Sequence, residues 1–331
     1  MRKLINDPVD FVDEVLDGIL LAHGDDLRAV TEDRRALVRS DAPGERVGIV
    51  TGGGSGHLPM FLGYVGYGLC SGVAVGNVFS SPSAEQIMAA TSASDCGRGV
   101  LYLFGNYGGD VMNFGLAADL AELEGIETRT VLVHDDVLSA PAARAETRRG
   151  TAGLVLAYKC AGAAAERGDS LGEVARLATL AAENARTVGV GLSPTILPAA
   201  GQPTFELPAG EMEIGIGIHG EPGSERGALQ TADAVTDRMM TAILDDLELK
   251  SGERAVVLVD GLGATPLEEL YILFRRAKTA LDARGIILRR SYVGEFVTSL
   301  EMAGASITVL RLDDELAELM DAPASSPFFK Q

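Results

Sequence analysis

The sequence predicts two α/β domains with mixed, mostly parallel sheets and a ligand site at strand ends in the interdomain crevice. Three observations carry this. Short apolar runs alternate with Ala-rich helical stretches along the chain, the pattern of strand–helix–strand units. The 40 glycines cluster at the ends of apolar runs and follow no period, as tight turns and close backbone approaches require. A proline-rich stretch at 191–210, GLSPTILPAAGQPTFELPAG, interrupts the alternation, which then resumes; such composition marks a connector. A chain of 331 residues is long for one domain, so the expected domains are 1–190 and 191–331.

Residues 8–23 read as an amphipathic helix, with Phe11, Val15, Ile19 and Leu20 at helical spacing. Arg46 to Val50 (RVGIV) reads as a buried strand running into the Gly-rich turn Thr51-Gly52-Gly53-Gly54-Ser55-Gly56-His57, with His57 at a helix start. A helix follows over 82–91, with Ser81 as its cap and Pro82 in first position. Strand 100–104, helix 116–124 and strand 129–133 complete the pattern. Residues 151–187 form nearly continuous helix broken at Gly168-Asp169-Ser170, where Ser170 caps the second piece. Beyond the connector come strand 214–218 (IGIGI), helix 228–246, strand 255–260, helix 266–283, and strands near 286–292 and 306–312. There is no repeat of fixed period and no low-complexity tract.

Composition excludes several classes. The formal net charge of −19 repels a phosphate backbone and an anionic membrane surface, so neither is an expected partner. Cys70, Cys96 and Cys160 are odd in number and widely spaced, so neither a disulfide framework nor a zinc site is suggested, and no metal is expected. Asp7, Asp10, Asp13 and Asp17 interrupt what would otherwise be the apolar run of a signal peptide. No stretch approaches a membrane span. A cytoplasmic protein is expected.

The chemistry narrows to few residues, because there are only 4 histidines. His23 ends the first helix, a favourable place for an imidazole beside the helix carboxyl end. His134 follows a strand and precedes Asp135 and Asp136, which suits a site or a solvated turn alike. His57 follows glycines at a strand end, where exposed N–H groups admit a small polar ligand. No Gly-Lys-Ser/Thr follows it, and Pro59 stands where a dinucleotide fingerprint needs its third glycine. His219 leads from IGIGI into Gly220-Glu221-Pro222-Gly223, and Asp110 lies in Gly105-Asn106-Tyr107-Gly108-Gly109-Asp110. Three Gly-rich strand ends, each delivering one ionisable group, suggest the crevice of an open α/β sheet. On these residues alone the reading is an α/β enzyme with a small polar ligand.

The segments MRKLINDPVDFV at the start, TGGGSGHLPM (51–60), GNVFSSPSAEQI (76–87), GNYGGDVMNF (105–114), GAAAERGDSL (162–171), GIGIHGEPG (215–223), GLGATPLEELY (261–271) and TSLEMAGASITVLRLDDE (298–315) occur in order from end to end. Together they closely resemble the substrate-binding subunit of the dihydroxyacetone kinase family. The resemblance implies two α/β domains holding a keto sugar, usually in a homodimer. It implies that His219 binds the sugar carbonyl covalently, with His57 and Asp110 as the acid–base pair and Gly54, Ser55 and Gly56 as loop contacts to the substrate. Either member of that pair could be the base. It further implies that this chain binds no nucleotide: ATP or ADP with Mg sits on a separate helical subunit, in some members recharged by a phosphotransferase-system phosphoryl donor. Keto-sugar-binding coactivators without kinase activity are the alternative. Gly105 and Leu58 depart from the Lys and Glu typical of members acting on dihydroxyacetone, which points to a longer ketose with four or five carbons.

Overall fold

The structure, a computed structural model, describes residues 3–41 and 44–331; Met1 and Arg2 of the first family segment lie outside them. The strands form two six-stranded sheets. The first contains β1 (Leu27–Ala29), β2 (Ala36–Arg39), β3 (Gly48–Ser55), β4 (Gly72–Val78), β5 (Val100–Gly105) and β6 (Thr128–Val133) in the order β1-β2-β4-β3-β5-β6. Its last four strands in that order are parallel, and β2 and β1 extend it antiparallel. The second contains β7 (Ala185–Ser193), β8 (Glu211–Ile214), β9 (Glu225–Ala228), β10 (Arg254–Gly261), β11 (Ile287–Gly294) and β12 (Ala303–Leu312) in the order β11-β10-β12-β7-β8-β9. Both sheets are mixed. Parallel pairing dominates only the first; in the second it is confined to β10 and β11, which a helix connects.

Helices fill three layers around the sheets. On the outer face of the first sheet, Ile87 and Ala90 of α2 (Ala84–Ser94) and Phe114 and Ala117 of α3 (Gly108–Leu123) pack on Val50, Tyr102 and Phe104. The pair α4 (Gly153–Glu166) and α5 (Leu171–Asn184) lies between the sheets, joining Ile49, Leu101 and Leu103 of the first to Val256, Leu258 and Leu310 of the second in one core. α4 is buried over nearly its whole length and apolar on every side except at Lys159, whose ammonium donates to the Leu319 carbonyl (2.8 Å), as a helix enclosed by other elements must be. On the far face, Met239 and Ile243 of α6 (Ala232–Leu247) and Leu273 of α7 (Leu267–Ala283) pack on Val188, Val257 and Ile307. The run AVVLV of β10 sends Val257 to this outer core and Val256 and Leu258 to the inner one. Two-sided burial of this kind explains an apolar run without alternation. α1 (Phe11–His23) buries Val12 and Leu16, flanked by Phe11 and Ile19, against the inner core, and α8 (Asp314–Asp321) packs on α4.

Several expected elements are displaced. β7 replaces the end of the long predicted helix and spans the expected 190/191 division, pairing centrally in the second sheet; no glycine or proline separates it from α5 to signal the change. IGIGI is not a strand: β8 ends at Ile214, and Gly215 takes φ +83, a left-handed turn. The helix after β5 begins at Gly108 rather than 116, so Asp110 lies in its first turn. The α2 cap is Ser83, not Ser81; its hydroxyl accepts from the Gln86 N–H while Gln86 reaches back, a reciprocal pair. β3 continues through its glycines to Ser55. No helix starts at His57; the chain turns there into a short 3₁₀ segment, Phe61–Tyr64.

Candidate active site

The glycines of β3 are steric necessities. A side chain at Gly54 would collide with the backbone of Phe79 and Ser80 at 2.5–2.8 Å, and one at Gly53 with the Phe61 ring. Bare backbone lets the segment after β4 lie against β3, and that contact brings Phe79 over His57. The two rings stack, 4.7 Å apart and 11° from parallel. The backbone continues the pairing into the second half of the chain: Leu300 N–H donates to the Gly56 carbonyl (2.8 Å), and the Thr298 hydroxyl donates to the Leu58 carbonyl (2.9 Å).

His57 is 1% exposed. Its Nδ1 lies 2.7 Å from the Thr298 carbonyl. A carbonyl only accepts, so Nδ1 carries the proton and Nε2 keeps its lone pair. Nε2 is buried and has no partner. Burial, and after it the adjacent His219, push the imidazole down to about 3, so His57 is neutral across the physiological range.

The His219 ring stands 4.8 Å from that of His57, nearly perpendicular to it, and contacts the rings of Phe79 (5.0 Å) and Tyr107 (4.9 Å). Its turn places Glu221 so that one carboxylate oxygen accepts the His219 backbone N–H (2.9 Å) and the other accepts from Nδ1 (2.9 Å). Burial works to raise the Glu221 carboxyl, but the His219 hydrogen bond and charge outweigh it and bring it to about 2. With Nδ1 donating, the nitrogen of the neutral ring left with a lone pair is Nε2.

Asp110 is 6% exposed, with Oδ1 buried and unpartnered. Burial pushes its carboxyl up to about 6, opposed by the Ser81 hydroxyl and by His219. Thus His57, Asp110 and His219, distant in sequence, share one polar centre walled by Phe79 and Tyr107. Gly54, Ser55 and Gly56 lead into it, though the Ser55 hydroxyl is taken by the Gly76 carbonyl (2.9 Å). Gly105 ends β5, where a side chain would meet the Gly150 carbonyl at 3.3 Å and the Tyr107 ring at 3.4 Å. Leu58 lines an apolar cavity of about 120 Å³ between α1 and the loop, with Phe11, Val15, Phe61 and Leu300 and with the loop residues Gly54 to His57; Gly105 is not part of its lining. Of the other histidines, His23 packs on Phe328 at 5.3 Å.

Phe79, Tyr107, Glu221 and Thr298 do not stand out in the sequence as site residues. Glu221 had a usable signal, lying two residues from His219 in a Gly/Pro turn. Thr298 had none, because it acts through its carbonyl. Among the described residues no cluster of His, Cys, Asp and Glu forms a metal site, and no helix is long and apolar enough to cross a membrane.

Residues 17–328 match the model of the Dak1 domain. The chain is 44% identical over 331 residues to a PTS-dependent dihydroxyacetone kinase 2, dihydroxyacetone-binding subunit DhaK, of Listeria innocua, covering 100% of this chain and 99% of that protein. It is 43% identical over 333 residues to a D-erythrulose kinase of Mycolicibacterium smegmatis, covering 100% of this chain but 57% of that longer protein. Among solved structures, the dihydroxyacetone kinase operon co-activator DhaQ superposes with a TM-score of 0.89 at 31% identity, over 96% of this chain and 97% of that one. A domain match over nearly the whole chain, with full-length relatives well above 30% identity, places this chain in the Dak1 family as a DhaK-like protein.

Proposed function

We propose that this chain is the substrate-holding subunit of a ketose kinase, binding a short ketose covalently through His219 and presenting its terminal hydroxyl for phosphorylation. The observation that carries the reading is the pairing of a buried imidazole, His57, with a partly exposed one, His219, 4.8 Å apart, each with Nδ1 committed and Nε2 directed to no protein partner. The His219 Nε2 lone pair adds to the ketone carbon and the carbonyl π pair moves onto oxygen. The oxygen takes a proton and Nδ1 gives one up, with Glu221 carrying the charge between, so the net product is a neutral hemiaminal. Nε2 has no second proton to lose as water, so the adduct stops there. A polyol such as glycerol offers no carbonyl and is rejected.

Fixing the sugar in this way orients its terminal hydroxyl, and positioning is most of what phosphoryl transfer needs. That hydroxyl loses its proton as its oxygen attacks the phosphorus. A group titrating near 6 suits a general base near neutrality better than one near 3, so Asp110 is assigned the proton and His57 Nε2 the acceptor role that aligns the hydroxyl. The phosphoryl group arrives on ATP, or ADP recharged by a phosphotransferase-system donor, with Mg, held by a separate helical subunit. The bare glycine at 105 and the likeness to an erythrulose kinase favour a four-carbon ketose over dihydroxyacetone. A cytoplasmic homodimer fits this role.

The likeness to a co-activator supports a second reading, sugar sensing without transfer; the reactive carboxylate at 110 weighs against it. The test is carbon NMR with dihydroxyacetone or erythrulose labelled at the carbonyl. The labelled ketone resonance should give way to a tetrahedral-carbon signal in the wild type and not in His219→Ala. A tetrahedral signal of equal intensity in His219→Ala rules out the assignment. Phosphorylation appearing only when the nucleotide-bearing subunit is added separates kinase from sensor.

A further inference from the structure

His219 is oriented by more than Glu221. Arg149 lies just before α4, on the side of the first sheet, and its guanidinium reaches into the turn that carries His219. There Nη2 donates to the Gly215 carbonyl (2.9 Å), where β8 gives way to the turn. Its Nε and Nη2 also hold Oδ2 of Asp136, at 2.9 and 2.8 Å. Asp136 is itself 2% exposed, so the guanidinium is anchored in the first half of the chain and spent on the second.

Gly217 shows where this brace ends. A side chain at Gly217 would collide with Oε2 of Glu221 and come within 2.8 Å of Nη1 of Arg149. The two opposite charges therefore converge on the same bare Cα. Gly217 has an ordinary negative-φ backbone, unlike its left-handed neighbours Gly215 and Gly220. Conformation does not demand glycine there; the space taken by Glu221 and Arg149 does. Around them lie two buried polar atoms without protein partners, the Tyr107 hydroxyl and Asp136 Oδ1. A simple clamp between halves would need only the Arg149–Gly215 bond. This one also brings Nη1 up to the same bare Cα as Glu221 Oε2, where the two charges attract without a hydrogen bond or ion-pair contact.

We propose that Arg149, anchored by Asp136 and admitted by Gly217, is a positioning residue for His219: it keeps the Glu221 carboxylate aimed at Nδ1, so that Nε2 faces the sugar carbonyl. The proposal rests on His219 being the carbonyl-binding residue. Without the brace Glu221 is free to swing away, Nδ1 loses its acceptor, and the ring can turn or shift its proton to Nε2. A ring protonated at Nε2 has no lone pair to offer, although the pocket keeps its shape.

The experiment titrates the full chain with carbonyl-labelled dihydroxyacetone and follows the tetrahedral-carbon signal by NMR, with a melting curve for each variant. The informative variant is Gly217→Ala, because its methyl meets only the ends of two flexible side chains and the fold should melt close to wild type. It should weaken adduct formation roughly tenfold, as should Arg149→Met and Glu221→Gln, with the double Arg149→Met/Glu221→Gln no worse than the poorer single, as expected for residues acting through one path. Unchanged adduct formation in Gly217→Ala overturns the proposal even if Arg149→Met proves too unstable to study. Additive losses in the double variant also overturn it. Absence of any tetrahedral signal in the wild type would instead defeat the assignment of His219 itself, and this inference with it.

Discussion

At the scale of single residues, the site separates two groups by environment. His57 and Asp110 are both buried, and burial disfavours the charged form of each. It therefore reverses their ordinary order of proton affinity, His57 going down to about 3 and Asp110 up to about 6. The Asp110 shift has a consequence for stability with a definite sign. A carboxyl that binds its proton more tightly when folded than when unfolded stabilises the fold at low pH, and this is lost as pH rises through the folded value. Asp110→Asn should therefore be more stable than wild type at pH 8, by on the order of 1–3 kcal/mol, with the difference vanishing near pH 4. Urea denaturation at both pH values measures this. The same substitution should abolish phosphorylation and the rise of kcat through pH 6, whereas His57→Asn should keep that rise at a lower plateau. Greater stability with lost activity is what strain held at a working site looks like.

At the scale of elements, β3 shows how a strand can be built around what it lacks. Gly53 and Gly54 point to opposite faces, so substitutions there meet different obstacles. Gly53→Ala strikes the Phe61 ring, which borders the cavity of about 120 Å³ beside α1 and has room to retreat into it. Gly54→Ala strikes the backbone that carries Phe79, which has nowhere to go. The first should cost about 1–2 kcal/mol and leave ketose binding within a few-fold of wild type; the second should cost more than about 3 kcal/mol or lose binding outright. Denaturant midpoints together with ketose titrations decide between them. If both variants behave alike, the two faces of β3 are not distinguished as described.

The same strand shows what was legible in the sequence. His57, Asp110 and His219 could be found because each follows an apolar run and a glycine cluster, a local signal. The glycines themselves read as a turn, since their purpose, room for Phe61 and for the Phe79–Ser80 backbone, lies in residues outside any local window. The start of β7 reads as helix because its first residues continue α5 without punctuation, and only pairing with β12 and β8 makes them a strand. IGIGI reads as a strand because apolar alternation does not reveal that Gly215 has left the extended region. Leu58 lines the apolar cavity beside α1 and Gly105 does not, so the two substitutions do not act on one wall. Adjacency in a motif says little about which side of a loop a side chain takes.

At the scale of the whole molecule, the two sheets do not behave as separate bodies, because α4 and α5 are packed between them and one core runs through from Ile49 to Leu310. The histidines reflect this. His57, carried by the first sheet, takes its orientation from Thr298 in the second half, and the turn of His219, carried by the second sheet, is held by Arg149 from the first. A ligand clasped between freely hinged lobes is admitted by opening and retained by closing. Here a hinge would have to tear α4 from one sheet or the other. On the proposed function, sugar would instead enter past side chains and the partly exposed turn at His219, with exchange set by a few rotamers and one loop. Small-angle scattering curves of the free and ketose-saturated chain should accordingly superimpose, with no change in radius of gyration. A measurable contraction on binding would mean that the buried helix pair is a bearing, and not the rivet that its packing describes.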